Sequence, residues 1–183
     1  MRLWRVLPWD PSARSGEQGH ALWIPRELQG SGRHDAPDHY GCLYLSEEAV
    51  SAVAEALGPF RGTGALTEEL LERSGRPLAL AELELDDRAI LVDLDEPEVL
   101  VAQWLRPSVV ATSRRAVTQA YALQLFERHR DAAGLRWWST LEASWIHVTL
   151  FDRALGSLEP LGLRQLTLSD ETVVVAATHL GLD

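Results

Sequence analysis

No lysine and no asparagine occur among the 183 residues, and cysteine and methionine occur once each. With no lysine there is no Gly-x-x-x-x-Gly-Lys phosphate loop. The Gly-x-Ser-x-Gly elbow and the His-Glu-x-x-His zinc motif are also missing. The six histidines, at 20, 34, 39, 129, 147 and 179, show no paired ligand spacing, so no metal site is expected. Cys42 stands alone in an apolar run and reads as a small buried hydrophobe. No run approaches 18 apolar residues, so no membrane span is expected. The opening MRLWRVLPWD has no long apolar core of a signal peptide. A cytoplasmic protein is expected from these points.

Basic charge is carried entirely by 17 arginines, against 27 acids, for a net charge of −10. An acidic chain without a basic stripe is poorly suited to nucleic acid or to an anionic membrane surface. The exclusive use of arginine has two readings. It is the mark of a GC-rich genome, or it places a fixed fork of donors where carboxylate or phosphate must be gripped. Length and an apolar content of 46% fit a single domain over residues 1–183 with one real core.

Along the chain, Arg2 to Leu7 alternates around Trp4 and Val6 and predicts a first strand stopped by Pro8. Residues 9–19 read as a loop, and Ala21 to Ile24 as a short strand. Gly30 to Tyr40 is an irregular turn region. Gly41 to Leu45 predicts a buried strand, and Ser46 a helix cap. Val50, Val53, Ala54 and Leu57 then give a helical stripe ended by Gly58 and Pro59, with Glu55 at its flank. A helical piece is predicted at 67–73, and strands at 78–85 and 89–94. The acidic cluster Asp93, Asp95, Glu96 and Glu98 reads as a solvated turn. The longest helix is predicted over 116–133, with Gly134 as its C-terminal residue. Strands follow at 134–139 and 145–150, and the β-branched run 172–177 reads as the last strand. Short strands with two or three helices indicate an α+β domain.

The stretch from Gly30 to Leu57 carries the most chemistry. A Gly-rich turn presents Arg33, a strand carries Tyr44, and a helix carries Glu55. Singly, Arg33 reads as a surface cation, Glu55 as a solvated helix residue and Tyr44 as a core residue with its hydroxyl at the edge. Ser139 alone signals nothing. Jointly they permit more. A guanidinium can grip phosphate by two parallel bonds, and an aromatic ring can hold a flat heterocycle. A carboxylate can stabilise positive charge on a ribose carbon.

The order of these segments resembles the RES-domain family, named for its Arg, Glu and Ser. The resemblance rests on Arg5 in LWRV, Gly32-Arg33-His34-Asp35, Leu43-Tyr44-Leu45 and Glu55. It continues through Gly134-Leu135-Arg136-Trp137-Trp138-Ser139 and Val148-Thr149-Leu150-Phe151-Asp152. The chain departs from the family pattern at three places. His34 stands where an aromatic follows the turn arginine, Trp137-Trp138 where a tyrosine precedes the serine, and Thr140 where an arginine follows it.

The resemblance implies an ADP-ribosyltransferase-like fold, with a mixed β-sheet core and flanking helices. It implies NAD⁺ as substrate, with its nicotinamide–ribose bond broken by hydrolysis or phosphorolysis. Alternatives are ADP-ribosylation of a protein target and a non-catalytic relative that only binds NAD⁺. By resemblance, Arg5 and Arg33 hold the pyrophosphate and Tyr44 contacts the nicotinamide side. Glu55 orients ribose hydroxyls and stabilises the cationic carbon, and Ser139 fixes the site by hydrogen bonding. The implied partner is a cognate Xre-type antitoxin with a helix-turn-helix region; homo-oligomers are a further expectation.

Overall fold

The computed structural model describes residues 1–182. In chain order the elements are β1 (Arg2–Pro8), β2 (Cys42–Ser46), α1 (Ala49–Leu57), β3 (Glu72–Arg73), β4 (Arg76–Leu85) and β5 (Leu91–Asp93). They continue with α2 (Pro97–Ala102), α3 (Pro107–Val110), α4 (Arg115–Arg128), β6 (Gly134–Trp138), β7 (Ile146–Phe151), β8 (Leu158–Gln165) and α5 (Glu171–Leu180). This is an α+β architecture with both antiparallel and parallel pairing. No helix among the described residues is long and apolar enough to cross a membrane. Contacts divide the chain into two compact units, each made of separated segments.

The first unit comprises residues 1–23, 46–85 and 158–182. Its centre is β4, paired antiparallel with β1 from Arg2↔Glu84 to Pro8↔Leu78. The other edge of β4 pairs antiparallel with β8, with one irregularity between Glu82 and Leu83. A two-residue hairpin joins β3 to β4 through Ser74 and Gly75, both at positive φ (55° and 73°). Such a turn matches the twist of the strands it joins. At the far edge, Trp4 pairs with Ser46. Helix α1 lies against β1 and α5. It buries Ala52, Val53, Ala54 and Leu57, while α5 buries Val173, Ala176, Ala177 and Leu180.

Several expectations for this unit are corrected. Ala21–Ile24 forms no strand; its carbonyls are used by a side chain described below. Ser46 is not a helix cap. It is the buried last residue of β2, and α1 starts three residues later with Glu48 at its N-cap and no side-chain cap. The piece at 67–73 is a single 3-10 turn (Glu68–Leu71) running into β3. The β-branched run 172–177 is helix, not strand. Asp170 accepts from the Thr172 amide at one end, and Gly181 ends the helix in the left-handed region (φ 66°). Two good caps and a buried face outweigh the modest helix penalty of three valines. The strand β8 was not foreseen. Its sequence LEPLGLRQ contains proline and glycine and is exposed over seven of its eight residues. An edge strand tolerates both residues because its outer backbone groups need no partner.

The second unit comprises Ile24–Leu45 and Asp86–Ser157. Strand β6 pairs antiparallel with β7 and parallel with β5. Its core gathers Tyr40, Leu94, Leu100, Tyr121, Leu125, Leu135, Trp137 and Phe151. Helix α4 stops at Arg128, short of the predicted 133. Arg153 takes over its end, donating to the carbonyls of Phe126, His129 and Ala132. Gly134 is therefore no helix terminator. It opens β6, and a Cβ there would press on the Thr149 carbonyl of β7. The sequence places Val117, Ala120, Tyr121 and Leu125 on one side of this helix, and the buried face of α4 is offset from that stripe. It runs through Thr118, Tyr121, Ala122 and Leu125, with Ala120 exposed. The spacing is helical, but its first member is a threonine, which a count of apolar residues passes over.

Candidate functional site

Arg5 and Glu55 belong to the first unit. Arg5 sits in the middle of β1, opposite Ala81 of β4. Its Nη1 donates to the carbonyl of Ala21 at 2.5 Å and of Trp23 at 3.1 Å. A strand arginine thus holds the return of the loop that follows its own strand. Glu55 projects from α1 into solvent, while Ser51 to Ala54 and Leu57 of the same helix are buried. The helical period places it off the core face, as the sequence indicated.

Arg33, Tyr44 and Ser139 belong to the second unit. Arg33 is 6% exposed, not a surface cation. Its Nη1 donates to the carbonyls of Val110 and Thr112, both at 2.9 Å. Its guanidinium carbon lies 5.0 Å from the centre of the Trp137 ring. Burying a guanidinium is costly unless it is compensated, and here two backbone carbonyls accept from Nη1 and an aromatic face lies beside the group.

The backbone around Arg33 is pinned group by group. The Asp35 carboxylate accepts from the amides of Gly30 (2.8 Å) and Gly32 (2.6 Å) through Oδ2. Its Oδ1 accepts from the Tyr44 hydroxyl at 2.7 Å and from the Cys42 thiol at 3.6 Å. The same Tyr44 hydroxyl accepts from the His34 amide at 2.8 Å. From α4, Gln119 donates to the carbonyls of Gly30 and Gly32, and the Thr118 hydroxyl donates to that of Arg33. Tyr40 donates to the His34 carbonyl. An irregular turn must satisfy its peptide groups somewhere, and here Asp35 and Tyr40 of the turn itself do so together with side chains from β2 and α4. Gly32 is needed for space: a Cβ there would stand 2.5 Å from Asp35 Oδ1 and 2.6 Å from the Tyr44 oxygen.

Behind the turn, the His34 ring is fully buried between two hydroxyls. Nδ1 lies 2.7 Å from Thr149 Oγ1, and Nε2 lies 2.7 Å from the Tyr121 hydroxyl. Its ring packs edge-on against Tyr121 and Trp137. Burial, then the charges of Arg33 and Arg115, hold its pKa well below the ordinary 6.5, so the ring is neutral. Burial also pushes the Tyr44 phenol well above its ordinary 10, with Cys42 and Asp35 adding to the shift. Its hydroxyl therefore keeps its proton and serves as both donor and acceptor.

Ser139 follows β6 directly and is 2% exposed. Its amide donates to the Trp145 carbonyl at 2.7 Å, and its hydroxyl accepts from the Leu141 amide at 3.0 Å. It shapes the turn between β6 and β7. Trp137, two residues earlier, carries Arg33 on its face and donates from its ring nitrogen to Thr149 at 3.0 Å. Among the described residues, no group of three or more His, Cys, Asp or Glu is placed to hold a metal ion.

Within the second unit the structure brings Arg33, Tyr44 and the β6 segment leading to Ser139 into one network. Sequence reading missed the members that bind it together. By sequence Asp35 reads only as part of the irregular turn region. His34 was noted only as a departure from the family pattern. Thr118 and Gln119 carry no signal in the sequence, Tyr121 reads only as an apolar-side residue of the long helix, and Thr149 only as part of the 148–152 segment. The Asp35 signal was available: a carboxylate after two closely spaced glycines can accept their amides.

A family model described as RES domain matches residues 2–170. No curated protein matches the chain in sequence. Among solved structures, a chain in the crystal structure of the M. tuberculosis MbcT-MbcA toxin-antitoxin complex is similar, with a TM-score of 0.65 at 19% identity. The alignment covers 99% of this chain and 87% of that one. At this identity the likeness is one of fold.

Proposed function

We propose, from the premise that this chain belongs to the RES-domain family, that it is a toxin enzyme that breaks the nicotinamide–ribose bond of NAD⁺. The observation that carries the reading is the family match, which spans Arg5, Arg33, Tyr44, Glu55 and Ser139 together. A buried, anchored Arg33 on a Gly-rich turn supports it, because pyrophosphate recognition needs a cation whose direction is fixed.

The proposed chemistry asks little of acid catalysis. The nicotinamide ring of NAD⁺ already carries the positive charge, so it leaves neutral and needs no proton. As the bond lengthens, that charge passes to the ribose carbon and ring oxygen. Glu55, solvated and free of burial cost, supplies the carboxylate that opposes this charge and holds the ribose hydroxyls. Water or phosphate then bonds to the anomeric carbon and gives up a proton, leaving ADP-ribose or its 1-phosphate. Arg5 and Arg33 bind the pyrophosphate, equally in substrate and transition state. Tyr44 lies on the nicotinamide side, and Ser139 fixes the turn after β6.

The toxin–antitoxin setting is supported by the fold shared with the MbcT-MbcA complex. The proposed partner is a separate antitoxin chain that inhibits the enzyme. The test is incubation of the purified protein with NAD⁺, with and without phosphate, followed by product identification. Free nicotinamide with ADP-ribose or its phosphate supports the reading. A single labelled protein band from labelled NAD⁺ in lysate, without bulk NAD⁺ loss, would replace it by protein ADP-ribosylation. No turnover by inhibitor-free protein would refute both.

A further inference from the structure

The turn that carries Arg33 contains a buried carboxylate that the proposed chemistry leaves without a task. Asp35 is 5% exposed and receives four donors: two backbone amides, one phenol and one thiol. Four donors on one aspartate exceed what a surface turn needs, since an ordinary Asx turn uses one. All of the donors lie within the segment from Gly30 to Tyr44. The two glycine amides precede Arg33 and the phenol comes from the strand beyond it. The carboxylate therefore ties the entrance of the turn to β2, with Arg33 between the two anchors.

We infer that Asp35 is the positioning residue of the Arg33 site, holding the turn between the Gly30 and Gly32 amides and the Tyr44 hydroxyl so that the guanidinium presents one fixed face to the substrate pyrophosphate. The inference rests on the NAD⁺ reading above. It also gives the Tyr44 hydroxyl a second duty: donating to Asp35 and accepting from His34, it braces the turn from β2. Gly32 belongs to the same device, since any side chain there would wedge the carboxylate and the phenol apart. Gln119 braces the turn from outside, through the Gly30 and Gly32 carbonyls, and touches neither carboxylate oxygen.

The function of such a residue is read in binding rather than in the chemical step. A pyrophosphate contact is made equally in ground and transition states, so loosening it raises KM and leaves kcat nearly unchanged. A purely structural role would lower the active fraction, and with it kcat, at constant KM. Asp35→Asn is nearly isosteric. Its oxygen can still face the two amides, but its NH₂ must then face the Tyr44 hydroxyl, which loses its acceptor.

The experiment measures NAD⁺ turnover and ADP-ribose affinity by calorimetry for wild type, Asp35→Asn, Gly32→Ala and Gln119→Ala, with thermal unfolding of each. For Asp35→Asn and Gly32→Ala, KM and the ADP-ribose Kd should rise about tenfold, with kcat within about twofold. Gln119→Ala should show a smaller rise in the same direction. An active wild type whose folded Asp35→Asn protein keeps its KM and Kd overturns the inference and leaves the NAD⁺ reading standing. If Asp35→Asn does not fold, an unchanged KM and Kd in folded Gly32→Ala overturn it instead. A wild type that neither turns over NAD⁺ nor binds ADP-ribose removes the NAD⁺ reading and this inference together.

Discussion

Replacing His34 by glutamine should change how stability depends on pH. In the native protein the His34 ring is buried between Thr149 and Tyr121 and faces the positive charges of Arg33 and Arg115. Burial first, and those charges second, keep its folded pKa well below 6.5. In the unfolded chain the ring titrates at its ordinary value. The contribution of His34 is therefore fully present above pH 6.5 and is lost as pH falls below it, because the unfolded state takes up a proton that the folded state refuses. The slope approaches about 1.4 kcal/mol per pH unit where the unfolded ring is charged and the folded ring is not, which sets an upper bound of about 2 kcal/mol between pH 7 and pH 5. His34→Gln has no titrating ring. It keeps an amide that reaches Tyr121 and gives up the Thr149 contact, at a pH-independent cost of about 1–2 kcal/mol. Denaturant unfolding of both proteins from pH 5 to pH 8 measures the difference. On going from pH 7 to pH 5 the wild type should lose up to about 2 kcal/mol relative to the variant, so that the stability gap between them closes or reverses. A gap that stays constant across that range would refute a buried neutral histidine at position 34.

Further outcomes follow from single contacts. Asp170→Ala removes the cap of α5 and its ion pair with Arg164, and should lower stability by about 1–2 kcal/mol in denaturant titration. An unchanged midpoint would mean that α5 does not depend on that cap. Arg153→Met should cost about 2–3 kcal/mol, since the guanidinium donates to three carbonyls near the end of α4 and stacks 4.2 Å from the Phe126 ring centre. Amide exchange should quicken at the last turn of α4 in that variant and remain slow in β1 and β4 of the other unit.

Elements with a local apolar pattern were legible in the sequence: β1, β4, β7 and α1 fall within a residue or two of their expected bounds. Those set by tertiary contacts were not. The β-branched run at 172–177 looks like a strand because its caps, Asp170 and Gly181, lie outside it. The strand β8 looks like a loop because an exposed edge strand carries no periodic signal. The end of α4 is set by Arg153, 25 residues beyond Arg128, and no local pattern can report it. The candidate site divides in the same way. The flank position of Glu55 came from helical period alone. The burial of Arg33 did not, because the carbonyls that accept from it belong to Val110 and Thr112, far along the chain. The role of Asp35 was readable in principle from Gly30-x-Gly32-x-x-Asp35, but a turn-forming aspartate and a turn-holding one have the same spelling.

Nicotinamide release from NAD⁺, measured for the purified wild type beside Glu55→Ala, tests the central claim most directly. Glu55 is exposed, so its loss should leave unfolding within about 0.5 kcal/mol of wild type, and any lost activity is then chemical. The account predicts steady release by the wild type and none above background by the variant. Equal release by both proteins, or none by an inhibitor-free wild type, would contradict it.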